Sequence, residues 1–576
     1  MISQTTHILK LLLAVMLASA LLGAGCTGNR DSAAGQPPGK PPAAHVANAI
    51  FENVIAESGI DFEIKQKDEP LSILKTNGEG VGLIDVDGDG LLDIVFIAHD
   101  QAKLYRNLGG FKFQDITANS GLKQEGYWSG VAVGDYDNDG KPDLYLCGYN
   151  CSALYHNEGG GRFTVVNGSG LDIRATPPDK CPEWRSIPVF FDYNGDGRLD
   201  LLVARYADFG PGTPEICSDS SKPAKYTCAP DIYTPQKMSL FRNDGSGRFA
   251  EVTPGSGLET ASGRTLGVAL GDYNNDGKLD VAVANDERPG DLFLNLGGGK
   301  FINKGVASGT AFSTFGKVHG GMGVDWGDYD GDGKLDLFVA TYQNEAKNLY
   351  HNLGRGIFAD SALDTGLSEK MDRWVTFGSK LFDYDDDGKL DLIVTNGHVV
   401  NNTDILYPGT NARQPIQLFH NAGTTFEETT GQMGEKAQLP IMGRGLAVGD
   451  LDNDGKLDVV VIDHNGKPVL LRNLVKTPNH WISVKLTGTK CNRDAIGARV
   501  TIKTGSSTQF RDCTNSGSFA SANDIRLLFG LGSATDVSVT VRWPGGATQE
   551  FKGLKADQIY EVKEGNAQAV PAALKH

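Results

Sequence analysis

An all-β chain assembled from seven copies of one unit is what this sequence predicts, and three observations carry the prediction. The first is an acidic nonapeptide with aspartate or asparagine at positions 1, 3 and 5, glycine at 6 and aspartate at 9. It occurs as DVDGDGLLD from Asp85, DYDNDGKPD from Asp135, DYNGDGRLD from Asp192, DYNNDGKLD from Asp272, DYDGDGKLD from Asp328, DYDDDGKLD from Asp383 and DLDNDGKLD from Asp450. The second is the pair of apolar runs around each copy, such as GVAVG before and DLYLC after, which reads as strand, acidic turn, strand. The third is a further recurring element, LYRNLGGFKF, LYHNEGGGRF, LFRNDGSGRF, LFLNLGGGKF, LYHNLGRGIF and LFHNAGTTF, in which an Asn-x-Gly turn joins two more short strands.

Each unit therefore amounts to a four-stranded antiparallel sheet. The copies start between 50 and 80 residues apart, room enough for four short strands and loops of variable length. Such sheets cannot bury both faces alone, and stacking them radially about an axis solves that. The expectation is a seven-bladed β-propeller over residues 49–474. Glycine stands five residues before the acidic loop in six copies (Gly80, Gly130, Gly267, Gly323, Gly378, Gly445), as an innermost strand crowded against the axis requires. Residues 475–565 alternate apolar and polar over WISVKL, ARVTIK, VSVTVRW and IYEVK, which reads as a small β-sandwich or barrel before a tail at 566–576.

At 576 residues the chain exceeds one ordinary core, and its 74 glycines suit a turn-rich β protein. The net charge of −17, with no basic stretch, offers nucleic acid no face to bind. Residues 1–25 carry Lys10 and then the run LLLAVMLASALLGAG, an export signal too short for a membrane span. Gly23-Ala24-Gly25-Cys26 resembles the lipobox of bacterial lipoproteins, with Leu22 one place early; the resemblance implies lipidation of Cys26. Cleavage after Ala18-Ser19-Ala20 with simple secretion is the alternative. Residues 26–48, centred on PPGKPP, read as a tether. The expected location is a bacterial envelope, lipid-anchored, at an outer membrane if the host has one, or secreted.

Seven further cysteines include no CxxC pair, which favours disulfides over zinc. Cys217 with Cys228, and Cys491 with Cys513, would each close a short polar loop. The odd number leaves one thiol over.

The acidic repeats ask for a counter-ion, since carboxylates this close repel one another. In a tight loop, alternate side chains face inward, so positions 1, 3 and 5 supply oxygens, position 7 offers a carbonyl and position 9 closes the shell. The candidate ligands are Asp85, Asp87, Asp89 and Asp93; Asp135, Asp137, Asp139 and Asp143; Asp192, Asn194, Asp196 and Asp200; and Asp272, Asn274, Asp276 and Asp280. The last three loops add Asp328, Asp330, Asp332 and Asp336; Asp383, Asp385, Asp387 and Asp391; and Asp450, Asp452, Asp454 and Asp458. All-oxygen shells of this size suit Ca²⁺, about seven per chain. The closing acid falls at 9 rather than 12 and strands flank the loop, so EF-hand helices are not implied. A run of Asx-turns that binds nothing is the competing reading.

With these loops and the LYxNxGxxxF elements, the chain resembles FG-GAP or VCBS repeat proteins, the units of integrin α-chain propellers. NRDAIGA from Asn492, GLG from Gly530 and WPGG from Trp543 closely resemble the ASPIC/UnbV domain. The resemblance implies an extracellular calcium-binding fold and supplies no reaction. Arg493 and Asp494 in NRDAIGA read either as a binding feature or as a salt-bridged turn.

The acidic turns occupy one face of a propeller. The opposite face gathers Trp128, Arg185, Arg264, His319, Trp374, His398 and Arg444, a candidate ligand-binding set for an extracellular glycan or protein. The insertion between Tyr206 and Met238 would overhang it. An envelope enzyme or transition-metal protein using His99, His319, His398 and His464 is the second reading. No HExxH, GxSxG or phosphate loop accompanies them, and no catalytic residue is assigned.

Overall fold

The structure is a computed structural model; it describes residues 49–572 except 67–69, 174–175, 219, 222–223 and 506. The leader, Cys26 and the tether lie outside the described residues. Seven antiparallel sheets follow one another, each of four strands with a short fifth, His319–Gly320, added to blade four, and the innermost strand of each touches that of the next in a closed ring. Blade two is typical, with strands Tyr127–Gly134, Asp143–Tyr149, Cys151–Gly159 and Arg162–Val165 in hairpin order. The chain is thus a seven-bladed β-propeller. Blade seven is closed from both ends of the repeat region: Phe51–Asn53 pairs with Val469–Asn473 and supplies the fourth strand.

The glycines before the loops are explained by crowding. A Cβ on Gly130 would stand 2.1 Å from the Ser186 carbonyl oxygen of the next blade, and one on Gly323 2.2 Å from that of Phe377. Within each acidic loop, positions 4 and 6 are left-handed, as with Asn138 (φ 62°) and Gly140 (φ 93°). That backbone confines position 6 to glycine and position 4 to Gly, Asn or Asp.

The asparagine of the second motif does more than turn the chain. Its backbone N–H donates to the closing aspartate of its own blade in all seven units, at 2.7–2.9 Å. In six of them the side-chain amide also donates to the position-2 carbonyl of the preceding blade, for example Asn352 to Tyr273 (3.1 Å), Asn421 to Tyr329 (2.7 Å) and Asn107 to Leu451 (2.8 Å). One side chain therefore stitches two blades.

Beyond the ring, two four-stranded sheets share a core around Val500, Val539, Trp543 and Phe529, making a small sandwich. His480–Thr487 and Gln558–Lys563 pair in parallel within it. The segment between its strands Ser507–Asp512 and Leu527–Gly532 leaves the sandwich and enters the propeller axis. Ser518 exchanges backbone hydrogen bonds with Val324, Ala522 donates to Val81 and accepts from Leu83, Asp524 donates to Val448 and the Asn515 amide donates to Val133. Phe519 meets Phe377 edge-on at 5.0 Å. From the opposite end, Ile73 on the short helix Ile73–Thr76 joins the same buried cluster as Phe377 and Phe519. The axis is filled by the chain itself.

Replacing Asn352 by alanine unpairs the carbonyls of Tyr273 and Leu335 while leaving the strand intact. The expected loss is about 2–4 kcal/mol, since each buried polar group left unsatisfied costs on the order of 1–3 kcal/mol. Urea unfolding checks it; a loss under about 0.5 kcal/mol contradicts the stitching role.

Candidate metal centres

Each loop hangs on its first aspartate. Asp85 accepts N–H bonds from Gly88, Asp89 and Gly90 at 2.8–3.1 Å, and Asp192 and Asp272 accept in the same way from the amides that follow them. Position 5 accepts from the N–H of position 7, and the cation at position 7 folds back onto it, as in Lys278–Asp276 (2.6 Å) and Arg198–Asp196 (2.5 Å). The Asx-turn network is thus present, and it leaves carboxylate oxygens unused.

Those oxygens decide whether a cation fits. Asp87 Oδ1, Asp200 Oδ2, Asp280 Oδ2, Asp328 Oδ1, Asp383 Oδ1 and Asp452 Oδ1, in six different loops, are buried without a hydrogen-bond partner, as is Asp386 Oδ1 in loop six. In the remaining loop the orphan is His156 Nδ1. Buried acceptors left bare in every copy fit a cation better than they fit an empty turn.

The closing aspartates feel the same deficit. Burial, with like charges beside it, pushes the carboxyl of Asp143 up to about 9 and those of Asp93, Asp200 and Asp336 up to about 8; Asp280 and Asp458 are driven well above the carboxylate range. Asp391 rises only to about 6, because the His420 imidazole, with Nδ1 3.2 Å from its Oδ1, opposes its burial.

The strand-three residue before the recurring asparagine differs from blade to blade, and in five blades it lies over the loop. Arg106 lies 2.5 Å from Asp87 and Arg472 2.9 Å from Asp452. Blades two, five and six carry His156, His351 and His420 there. In sequence LYxN reads only as a turn signal, and the alternation among Arg, His and Leu at this position is the clue to its place over the loop.

The sandwich docks on the acidic face. Asp494 accepts the Asp135 N–H at 2.7 Å, Arg542 reaches Asp272 Oδ2 at 2.6 Å, and Arg526 donates to Asp450 O and Asn453 Oδ1, both at 2.6 Å. The Arg493 N–H donates to Asn138 Oδ1 at 2.7 Å, and Arg499 bonds Asn275. NRDAIGA is therefore a clamp on loop two. Three of the sandwich's docking points, Asn138, Asn275 and Asn453, sit at loop position 4, where loops one, three and five have Gly88, Gly195 and Gly331.

On the opposite face, six of the seven proposed ligand residues are buried in the wall. Arg444 gives its guanidinium to the carbonyls of Thr76, Gly397, Gly443 and His398, Arg185 bonds Tyr145, and the Trp128 indole N–H donates to Gln124 O. His398 lies against Tyr342 and Tyr407, His319 against Tyr350, and Arg264 donates to the Glu287 carbonyl. Burial draws His319 down to about 4 and His398 to about 3, so both are neutral near pH 7. Trp374 alone is partly exposed, under the Arg373 guanidinium at 4.2 Å. His464 pairs with buried Glu79, and His99 stacks on Tyr127 at 3.6 Å.

That face holds a cleft of about 310 Å³ lined by Tyr149, Thr176, Pro177, Lys180 and Pro211. It borders the insertion that Cys217 and Cys228 close, with sulfurs 2.10 Å apart. The expected Cys491–Cys513 pair is not formed: both are thiols, each directed at a backbone carbonyl, of Asn492 and Asp494 respectively. Cys147, Cys151 and Cys181 are also unpaired, so five thiols remain where an odd one was expected.

Comparison with known proteins follows the same division. A sequence model of the FG-GAP-like repeat matches residues 85–146, 228–283, 272–339, 328–394 and 383–461, and one described as ASPIC and UnbV matches 488–569. Cartilage acidic protein 1 of Xenopus tropicalis is 28% identical over 247 residues, covering 36% of this chain and 37% of its own; the Mus musculus protein is 29% identical over 248 residues, covering 36% and 38%. The chain therefore spans little more than a third of the length of these curated relatives. Among solved structures, an Agrocybe aegerita lectin described as recognising non-reducing terminal N-acetylglucosamine is 18% identical with a TM-score of 0.38, over 66% of this chain and 86% of that one. A rhamnogalacturonan lyase of Bacillus licheniformis is 14% identical with a TM-score of 0.30, over 87% and 92%.

The raised closing aspartates set a pH dependence for the metal-stripped protein. Folded, these groups hold protons up to about pH 8 or 9; unfolded, they release them near the ordinary carboxylate value, so stability is greatest in acid and falls as pH rises from about 4 to about 9. Thermal melts of stripped protein at pH 5 and pH 9 should show the lower melting temperature at pH 9. Equal melts contradict the buried, uncompensated carboxylates.

Proposed function

The chain belongs to the family of FG-GAP-like repeat proteins and ends in an ASPIC/UnbV domain, and from that premise we propose that it is a calcium-stiffened binding module of a bacterial envelope. On this reading Cys26 carries the lipid anchor, the Pro-rich tether holds the folded part off the membrane, and the ligand is an extracellular glycan or protein. The observation that carries the proposal is the division of the two faces. The sandwich docks on the acidic loops, which serve the fold, while the opposite face carries an aromatic and proline-lined cleft beside a disulfide-closed insertion.

The donor set supports calcium. Positions 1, 3, 5 and 9 of each loop present carboxylate or amide oxygens, with an unpartnered donor in every copy. A bound divalent ion supplies the charge that lets the buried carboxylates ionise together. The residues do the rest: the first aspartate fixes the loop through its amides, the closing aspartate ties the loop to the third strand, and the asparagine passes that order to the neighbouring blade.

Tyr149, half-buried between Tyr127 and Phe209, forms one wall of the cleft, and Lys180 gives it a cationic rim. A flat aromatic surface with a few polar groups suits a sugar ring or a peptide side chain.

Metal analysis of purified protein, together with melts before and after calcium removal, tests the first half: calcium bound at several ions per chain and a large fall in melting temperature are expected, and a calcium-free protein of unchanged stability refutes it. A glycan and surface-protein binding screen tests the second. Tyr149→Ala is expected to reduce any binding at least tenfold with the melting temperature held, and full binding by that variant moves the ligand site elsewhere.

A further inference from the structure

We propose that the acidic loops of blades two, five and six form mixed nitrogen and oxygen sites for a first-row divalent transition ion, with His156, His351 and His420 each contributing Nδ1. The inference rests on the reading that the loops hold cations and differs from it in the ion.

The arrangement is repeated three times with little variation. His156 Nδ1 lies 3.3 Å from Asp137 Oδ2 and 3.4 Å from Asp143 Oδ1. His351 Nδ1 lies 3.3 Å from Asp330 Oδ2 and 3.2 Å from Asp336 Oδ1, and His420 Nδ1 lies 3.7 Å and 3.2 Å from the corresponding oxygens of Asp385 and Asp391. Two donors each about 2.1 Å from one ion stand roughly 3.0–3.4 Å apart, so a nitrogen and two carboxylates at these separations can share a single centre. The position-2 tyrosines steady the ring: Tyr329 meets His351 and Tyr384 meets His420 edge-on, at 6.1 Å and 6.0 Å.

A second observation points to a ligand. His156 Nδ1 and His420 Nδ1 are buried atoms with no hydrogen-bond partner. In loop six, Asp383 is 2% exposed and also keeps an unpartnered Oδ1, with Asp391 the strongest like charge acting on it. The choice of ion follows from donor chemistry. Calcium takes oxygen and disregards imidazole, whereas zinc, manganese and iron accept both. Where blades one and seven place arginine over the loop, the overhead group is itself a cation and donates to the carboxylates. Imidazole can offer a lone pair instead, so the seven loops divide by that one residue.

The test is a zinc titration of the purified protein in millimolar calcium, with bound zinc and calcium counted in the same samples. Three zinc ions per chain are expected, one fewer in each of His156→Gln, His351→Gln and His420→Gln, and none in the triple variant. Glutamine returns an oxygen donor, so the variants should keep calcium and their melting temperature. Zinc binding unchanged in the triple variant, or calcium retained with no zinc taken up, overturns this proposal and leaves the calcium reading standing; zinc bound without calcium does the reverse. Should the variants fail to fold, Mn²⁺ on the unmodified protein decides: imidazole ¹⁴N modulation in its pulsed EPR spectrum is expected, and bound Mn²⁺ without it overturns the inference.

Discussion

The fold depends on one buried carboxylate per blade. The closing aspartate sits at the start of the second strand, accepts the N–H of the third-strand asparagine, and in most loops accepts the position-2 N–H as well. It therefore fixes the acidic loop, the hairpin beside it and, through the asparagine amide, the distance to the preceding blade. A group in that position cannot be exchanged for an apolar one without orphaning two amides. It cannot be ionised beside two more carboxylates without positive charge from elsewhere.

That charge comes from several sources at once. In six loops a cation at position 7 accompanies position 5, the third strand leans an arginine or histidine over the loop in blades one, two, five, six and seven, and the sandwich brings Arg499, Arg526 and Arg542 to loops four and seven. The orphaned oxygens that remain in loop after loop show that these contributions stop short of complete satisfaction. A chain with net charge −17 thus keeps part of its excess where cations can meet it, on the face where the sandwich docks.

The repeat was fully legible because each of its residues answers a local demand. Left-handed backbone at positions 4 and 6, hydrogen bonds to short carboxylates and crowding at the axis each restrict the residue choice at a fixed spacing, and seven repetitions make the restriction visible. The asparagine stitch was half legible: its turn could be read, its reach into the next blade could not, since that contact spans 71 to 344 residues. The filled axis was illegible. TNSGSFASAND has the composition of a surface loop, and its burial comes from backbone groups that complete the innermost strands, a property any polar, small-residue segment could supply. For the same reason the burial of the opposite-face residues could not be read: Arg185 and Arg444 saturate carbonyls at strand ends that the period-2 pattern cannot see.

Filling the axis changes what the sandwich is. A domain joined by a linker could be removed without touching the propeller, but Ser518, Ala522 and Asp524 supply backbone partners to strands of blades five, one and seven, and Phe519 occupies space on the axis beside Phe377. Without that segment the innermost strands would line an apolar channel with unpaired amides, a surface that a protein working in water must cover. The sandwich therefore belongs to the propeller's core as much as to its own. Because it also carries the arginines that meet the acidic loops, one domain serves both the loops at the rim and, through Thr514–Asp524, the centre of the ring.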